Sequence, residues 1–356
     1  MLTLEWYSLL LAGVNNKTIK VLMDNFINFD EIFQRDLNDL HNEFGVSIDD
    51  IKKIHSSRNI ELEKYISELK KKNIGLISIR DSIYPEELKN IVQPPVFIHY
   101  KGNINLLKSK KIAIVGTRKC STYGKLVCEK IVEELALAKI TTVSGLAIGI
   151  DEICHRVTLD NGGNTIAVVG SGLDIIYPKK NIKLWEQISK DGLLLSEFPL
   201  KTKPFAYNFP LRNRIIAGLS LGVLLIESRK KGGSLITAEI ALEEGRDVFA
   251  VPGDIYSITS EGTNNLIKNS SAKLVTKASD ILVEYGLKGV KKRDSKKLNL
   301  TDKEYKIYNV LEREKNLDEI IQKISMDPGE ALSILMELEV KKIICSIPGG
   351  KYRRKL

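Results

Sequence analysis

The sequence has little of what disulfide-rich, zinc-binding or membrane-spanning proteins need. Its 356 residues include four cysteines without a CxxC pair and four histidines that lie apart, which argues against a disulfide scaffold and a structural zinc site. No apolar run approaches the roughly 18 residues of a membrane helix, and the first residues lack a basic segment followed by a cleavage site. We therefore expect a cytoplasmic protein without membrane contact, metal or cofactor.

The residues that are present predict a folded protein of two or three domains. Apolar residues make up 43% and charged residues 28%, as in globular proteins. The net charge of +9 is uneven: residues 1–109 carry 14 basic and 15 acidic side chains, residues 110–286 carry 23 and 19, and residues 287–356 carry 17 and 11. A polyanionic partner and a solvated linker and tail both explain this excess.

The first 73 residues predict a small helical domain. Apolar positions such as Leu9, Leu10 and Val14 recur at helical spacing, and Gly13 and Asn28 interrupt the pattern.

A second region, residues 74–286, predicts a doubly wound, Rossmann-like parallel sheet. Short apolar runs alternate with helical patterns, and runs this apolar indicate strands that are buried on both faces. After the strand that ends at Val115, Val127, Ile131 and Leu135 share one face of a crossover helix. The predicted strands are 74–79, 112–115, 141–143, 165–169, 193–195, 223–226 and 248–251.

The remainder predicts a basic linker and a third domain. Residues 287–299 are rich in lysine and poor in apolar residues. In residues 300–356, Thr301 and Glu304 form a capping box, and Pro328 occupies the first position of another helix. Three helices followed by a hairpin at residues 342–352 are the order of a winged helix.

Glycine-bearing turns follow several predicted strands, and the first begins at Gly116. A strand that ends in glycine can present backbone N–H groups, and the next helix adds partial positive charge at its N-terminus. This turn lacks the P-loop pattern because Lys119 stands where a glycine is needed and Leu126 where a hydroxyl is needed. Its candidate anion-binding residues are Gly116, Thr117, Arg118, Ser121, Gly124 and Lys125.

Two more turns repeat the pattern. In the second, Ser144, Gly145 and Gly149 could cradle a phosphate before a helix, which Asp151 is expected to cap. In the third, Gly170-Ser171-Gly172 begins a dinucleotide fingerprint, but Ile175 replaces the last glycine. A lone histidine such as His155, on the second helix, indicates a structural role.

Cations accompany these turns. Because ligands of doubly wound folds lie beyond the carboxyl ends of the strands, we expect five basic side chains to meet at one edge. With no catalytic triad and no paired carboxylates, such a cleft favours phosphate binding over catalysis. The five are Arg118, Lys179, Lys180, Arg212 and Arg214.

These motifs, in this order, resemble the DNA-processing protein A family (DprA, also called Smf) from about residue 84 to residue 280. They are VGTR (115–118), SGLAIGID (144–151), GLDIIYP (172–178), FPLRNRIIAGLS (209–220), GGSLITA (232–238) and FAVPG (249–253). Departures are small: Cys154 stands where alanine is usual and Ser271 where glycine is usual. The flanking regions are similar to the family's sterile-alpha-motif or helix-hairpin-helix-like N-terminal domain and its winged-helix-like C-terminal domain.

The resemblance implies a non-catalytic, homodimeric protein that binds single-stranded DNA. It would protect incoming DNA and help to load the RecA recombinase during natural transformation. The family's DNA-contacting residues correspond to Gly116, Arg118, Ser121, Lys179, Arg212 and Arg214.

Two other functions stay open. A nucleotide-binding or phosphoribohydrolase-like enzyme would need a PGGxGTxxE loop. When Gly232-Gly233 is aligned with this pattern, either Glu239 matches its glutamate or, one position shifted, Thr237 matches its threonine, but both never match together. A duplex-binding regulator would read DNA with its third helix, yet residues 328–339 contain no lysine or arginine and three glutamates.

Overall fold

The structure is a computed structural model and describes residues 2–287, 300–341 and 343–354. It begins with six helices, in agreement with the helical pattern of the first 73 residues. They are α1 (Leu2–Glu5), α2 (Tyr7–Leu11), α3 (Asn16–Asn25), α4 (Leu37–Phe44), α5 (Ile48–Ser57) and α6 (Leu62–Lys71), with a 3-10 helix at Phe29–Gln34.

Local capping explains where two of these helices begin. The side chains of Asn15 and Ser47 accept hydrogen bonds from backbone N–H groups in the first turns of α3 and α5. The apolar faces pack around Trp6, and their core includes Phe97, a residue of the following region. The helical unit is therefore packed against the edge of the sheet.

Nine strands form the main sheet. They are β1 (Gly75–Ser78), β2 (Phe97–Gly102), β3 (Lys111–Val115), β4 (Thr141–Ser144), β5 (Thr165–Val168), β6 (Leu193–Ser196), β7 (Gly222–Leu225), β8 (Asp247–Ala250) and β9 (Lys273–Leu274). Their order is β1-β2-β6-β5-β4-β3-β7-β8-β9. In this order, the seven neighbouring strands β6-β5-β4-β3-β7-β8-β9 are parallel to one another, as the doubly wound prediction requires.

The other two strands make the sheet mixed. Strands β1 and β2 pair antiparallel with each other, and β2 pairs antiparallel with β6. Strand β2 is absent from the strands predicted above, because His99, Tyr100 and Lys101 break its apolar character and Pro94-Pro95 precedes it.

Helices cover both faces of the sheet. They are α7 (Glu86–Lys89), α8 (Thr122–Leu137), α9 (Ile150–Asp160), α10 (Ile182–Asp191), α11 (Asn208–Gly218), α12 (Gly233–Glu243), α13 (Glu261–Lys268) and α14 (Ala278–Leu282), with 3-10 helices at Ile104–Lys108, Lys179–Asn181 and Val283–Tyr285. Ile112 and Ile114 of β3 pack with α8 and α9, whereas Ala113 and Val115 pack with α11 and α12 on the other face.

A crevice opens where the winding direction reverses. Strand β3 lies between β4 and β7; the chain leaves β3 into α8 on one face and leaves β7 into α12 on the other. The connections that follow β3 and β7 therefore diverge at the carboxyl ends of these strands, which is where open α/β sheets bind ligands.

The C-terminal unit has three helices and a small sheet in the described residues. They are α15 (Asp302–Val310), α16 (Leu317–Ile324) and α17 (Pro328–Val340), with β10 (Lys315–Asn316), β11 (Ile344–Ile347) and β12 (Lys351–Arg354) in the order β10-β12-β11. The capping box of Thr301 and Glu304 is present. Apart from Leu287, the predicted linker lies outside the described residues. Within the described ranges, no helix is both long and apolar enough to span a bilayer.

Candidate nucleic-acid interface

The crevice between β3 and β7 contains a cavity of about 270 Å³. Its walls are formed by α11 and by the turns after β3, β4 and β7, together with the first residues of α9 and α12. The lining residues include Gly116, Thr117, Arg118, Ala147, Asp151, Phe209, Arg212, Ser228, Arg229, Gly233, Ser234 and Thr237. A contiguous extension of about 70 Å³ reaches Gly170, Tyr177 and Pro178. We call the cavity and its extension the switch cleft.

Two glycines let the first two turns interlock. A Cβ atom on Gly116 would lie 2.6 Å from the side chain of Ile150, and one on Gly149 would lie 2.5 Å from the carbonyl oxygen of Thr117. Gly149 also has a φ of +89°, which favours glycine. The backbone N–H of Ile150 donates to the oxygen of Thr117 at 3.3 Å. Gly116, Thr117 and Gly149 therefore shape the cleft by close backbone packing.

Arg118 is an exposed cation on the cleft wall. Its guanidinium carbon lies 5.7 Å from the centroid of the Phe209 ring, a distance at which a cation is attracted to the ring face. No carboxylate among the described residues lies within ion-pair distance of Arg118, so its charge is available to an anion.

Ser121, in contrast, is held by the protein itself. Its hydroxyl donates to Oε1 of Glu227 at 2.6 Å, and its backbone N–H donates to Oε2 at 2.8 Å. The same hydroxyl accepts from the N–H of Gly124, where a Cβ atom would lie 2.2 Å from the Glu227 carboxylate. Ser121 and Gly124 thus join the loop after β3 to a buried carboxylate. Lys125, in contrast, is exposed at the N-terminal end of α8.

Arg212 is buried beneath the cleft. Its Nη1 donates to the carbonyl oxygen of Gly145 at 2.8 Å and to that of Val168. Burial lowers the pKa of Arg212 to about 10, against the opposing effect of the Asp151 carboxylate. Arg212 therefore ties α11 to the ends of β4 and β5, and its side chain also lines both parts of the cleft.

The second turn uses its polar groups internally. The Ser144 hydroxyl donates to the carbonyl oxygen of Ile114 at 2.6 Å. The Asp151 carboxylate accepts from the N–H groups of Gly145 and Ala147 at 3.2 and 3.4 Å, so it fixes the loop rather than capping α9 as expected. Burial raises the pKa of Asp151. Ser144 and Gly145 thus contribute architecture to the cleft.

Lys179 and Lys180 are exposed at the outer end of the cleft extension. They open a 3-10 helix directly after Tyr177 and Pro178, which line that extension. The two lysines therefore adjoin the extension along the chain, although neither side chain lines it.

Arg214 lies elsewhere, contrary to the expectation that all five cations meet at one rim. Successive helical residues rotate by about 100°, so two residues of α11 separated by two positions face opposite sides. Arg214 is ion-paired with the buried Glu197 and lines a separate cavity beside the N-terminal helices. Of the five predicted cations, Arg118 and Arg212 therefore line the switch cleft, and Lys179 and Lys180 follow two of its lining residues in the chain.

The turn after β7 adds cations that the sequence motifs above did not single out. Arg229, Lys230 and Lys231 are exposed there, and Arg229 lines the cleft. Gly232 precedes α12 without a side-chain cap, so the first N–H groups of that helix remain available to an anion. The signal was present as the run RKKGGS immediately after an apolar strand.

The residues of the enzymatic alternative are separated. Thr237 of α12 faces the switch cleft, whereas Glu239 borders another small cavity with Lys230 and Leu235. His155 is fully buried, and Nδ1 lies 2.7 Å from the Thr165 hydroxyl. Burial lowers the pKa of His155 to about 3, which fits the structural role that the sequence indicates.

Comparison with known proteins gives one consistent result. Residues 75–286 match the family of DNA recombination-mediator protein A. The DNA processing protein DprA of Streptococcus pneumoniae is 42% identical over 290 residues, which are 79% of this chain and 97% of that protein. Protein Smf of Escherichia coli is 35% identical over 319 residues, 87% of this chain and 85% of that protein.

Two solved structures have a similar fold. The X-ray structure of DNA processing protein A from Streptococcus pneumoniae superposes with a TM-score of 0.69 at 40% identity, over 79% of this chain and 97% of that chain. A structure of the Helicobacter pylori protein, described for its single-stranded DNA binding mode, superposes with a TM-score of 0.55 at 29% identity. It covers 60% of this chain and 95% of that one.

Proposed function

The chain belongs to the DNA recombination-mediator protein A family of DNA-processing proteins, and on that premise we propose that it binds single-stranded DNA in the switch cleft without cleaving it. The observation that carries the proposal is that two exposed cations, Arg118 and Arg229, line a narrow cleft. Further exposed lysines lie on the adjoining segments of the chain: Lys125, Lys179 and Lys180. Phosphates of a strand would lie against these charges and against the N-terminus of α12.

The composition of the cleft also suits a single strand. Phe209 and Tyr177 lie at its wall with ring centroids 5.7 Å apart, and aromatic rings beside a cationic groove are typical of proteins that bind single strands without sequence preference. The Helicobacter pylori relative is described as binding single-stranded DNA, which supports the same substrate class for this chain.

At the cellular level, we propose that the protein protects incoming DNA and helps to load the RecA recombinase during natural transformation. It would act in the cytoplasm as a homodimer, with residues 1–73, 74–286 and 300–356 as its domains and 287–299 as a basic linker. Support comes from the family's description as a recombination mediator. RecA-mediated strand exchange on DNA coated with single-strand-binding protein should be stimulated by this protein, and unchanged exchange would exclude the loading role.

A salt titration tests the binding proposal. If four to six phosphates are neutralised, log affinity for a single-stranded oligonucleotide should fall against log salt with a slope of about −3 to −4, at about −0.7 per phosphate. Double-stranded DNA of the same length should bind more weakly. Equal or tighter binding of the duplex, or a slope near zero for the single strand, would contradict the proposal.

The enzymatic alternative has a direct test as well. Incubation with nucleoside monophosphates should release no free base, because Thr237 and Glu239 lie in different cavities. If the unchanged protein releases free base and Glu239→Gln abolishes this release, the protein is a hydrolase and the binding proposal is wrong.

A further inference from the structure

Two aromatic side chains outside the switch cleft lie exposed against each other. Phe205 and Tyr207 follow β6 on the loop that leads into α11, with exposed fractions of 46% and 64%. Their ring centroids are 5.5 Å apart and their planes differ by 7°. This parallel pair contributes little to the core, since both rings retain about half of their surface in water.

The loop that carries this pair is firmly held. The side chain of Asn208, which is 1% exposed, donates to the carbonyl oxygens of Gly170 and Lys203 at 3.0 and 3.2 Å. The N–H of Asn208 donates to the oxygen of Phe205 at 3.0 Å, and the N–H of Phe205 to that of Lys203 at 2.9 Å. The two rings are therefore exposed on an ordered segment.

The pair lies beside the switch cleft. Tyr207 directly precedes Asn208, whose side chain donates to the carbonyl oxygen of Gly170, a residue that lines the cleft extension. Lys203 is exposed on the same loop, where Lys201 pairs with Glu68. A flat apolar surface with a cation on its own loop, next to the cleft where the DNA backbone is proposed to lie, matches the chemistry of bases and phosphates.

We infer that Phe205 and Tyr207 form a base-stacking platform, on which a nucleobase of the single strand lies as the strand leaves the switch cleft. This inference rests on the proposed function and extends it, because it states that the bound DNA leaves the switch cleft along the loop between β6 and α11. The bound group is a nucleobase of any identity, since every base has a flat face. Asn208 acts as a positioning residue that holds the platform.

Substitution of Tyr207 separates stacking from other roles. Tyr207→Leu keeps apolar volume but removes the flat ring, and it should weaken binding of an oligothymidine long enough to extend beyond the cleft by about tenfold. Tyr207→Phe should restore the affinity. Tyr305→Leu, at another exposed tyrosine (56%) on α15, is the matched control and should leave affinity unchanged.

The salt dependence distinguishes the platform from the cations. Tyr207→Leu removes no positive charge, so the slope of log affinity against log salt should equal that of the unchanged protein. Arg118→Ala should reduce that slope by about 0.7 for each phosphate that the arginine neutralises. In addition, an oligonucleotide carrying 2-aminopurine should lose fluorescence on binding, and Tyr207→Leu should diminish that loss because stacking quenches the analogue.

Failure of the platform and failure of the proposed function give different results. Wild-type binding with a salt slope near zero would remove the proposed function. Salt-dependent wild-type binding, together with unchanged affinity and quenching for the folded Tyr207→Leu variant, would overturn the platform alone. A shift of Tyr207→Leu toward monomers in sedimentation, with DNA affinity unchanged, would show that the ring pair docks a second copy of the chain and would also overturn it.

Discussion

Replacing Arg118 or Arg212 by alanine should separate DNA binding from stability, because the two arginines line one cleft but differ in burial. Arg212 is 5% exposed, and its Nη1 donates to the carbonyl oxygens of Gly145 and Val168. Arg118 is exposed on the wall of the cleft. We expect Arg212→Ala to lower the free energy of unfolding and Arg118→Ala to leave it nearly unchanged.

The magnitudes follow from these hydrogen bonds. A hydrogen bond from a charged donor contributes about 1.5–3 kcal/mol, and Arg212→Ala removes the two that Nη1 donates to buried carbonyl oxygens. The expected decrease in stability is about 3–5 kcal/mol. For Arg118→Ala, the expected change in stability is within about 0.5 kcal/mol, while affinity for a single strand should fall about tenfold or more.

Two assays measure these effects on the same samples. Urea unfolding, followed through the fluorescence of Trp6 and Trp185, gives the free energy of unfolding, and anisotropy of a labelled oligonucleotide gives affinity. Arg156→Ala is a control for binding, because Arg156 pairs with Glu129 on α8, away from the cleft. A stable Arg212→Ala protein, or an unstable Arg118→Ala protein, would refute the reasoning.

Three further predictions concern other positions. Burial lowers the pKa of His155 to about 3, so its contribution to stability is present above about pH 6.5 and is lost as the pH falls toward 3. His155→Gln should therefore reduce the slope at which the free energy of unfolding declines between pH 6.5 and pH 4, by about 1 kcal/mol per pH unit. Urea titrations in which the variant and the unchanged protein decline in parallel would contradict this. Gly124→Ala should destabilise the protein by about 1–3 kcal/mol, because the new Cβ would lie 2.2 Å from the Glu227 carboxylate. Gly233→Ala is the control and should be tolerated, since no atom lies within 4 Å of its new Cβ. Equal thermal unfolding midpoints for the two variants would contradict this. Arg214→Met leaves the buried Glu197 without its cation and should lower the free energy of unfolding by about 3–5 kcal/mol. The folded variant should keep the slope of log DNA affinity against log salt. A reduced slope would place Arg214 against the bound DNA.

The strands of the parallel sheet could be predicted because burial on both faces leaves a continuous apolar run. The same logic missed β2, which lies second from one edge and carries polar side chains, and the two-residue β9. The C-terminal helices were predicted from local caps at Thr301 and Pro328, which depend only on neighbouring residues.

The positions of the cations could be predicted only in part. Arg118 lies in the turn directly after β3, so the sheet topology determines its edge, whereas Lys179 and Lys180 lie at the far end of the long connection between β5 and α10. Arg214 follows Arg212 by two residues on α11, and its opposite orientation could have been derived from helical periodicity. That Ser121 is held by Glu227 could not be predicted, since the two residues are 106 positions apart in the chain.

A crystal structure of the protein with a short oligothymidine tests the central claim most directly. We predict phosphate oxygens about 2.7–3.2 Å from the guanidinium of Arg118 and from the first N–H groups of α12, with the strand continuing toward Tyr207. An oligonucleotide bound on another surface, with the cleft between β3 and β7 unoccupied, would contradict the claim.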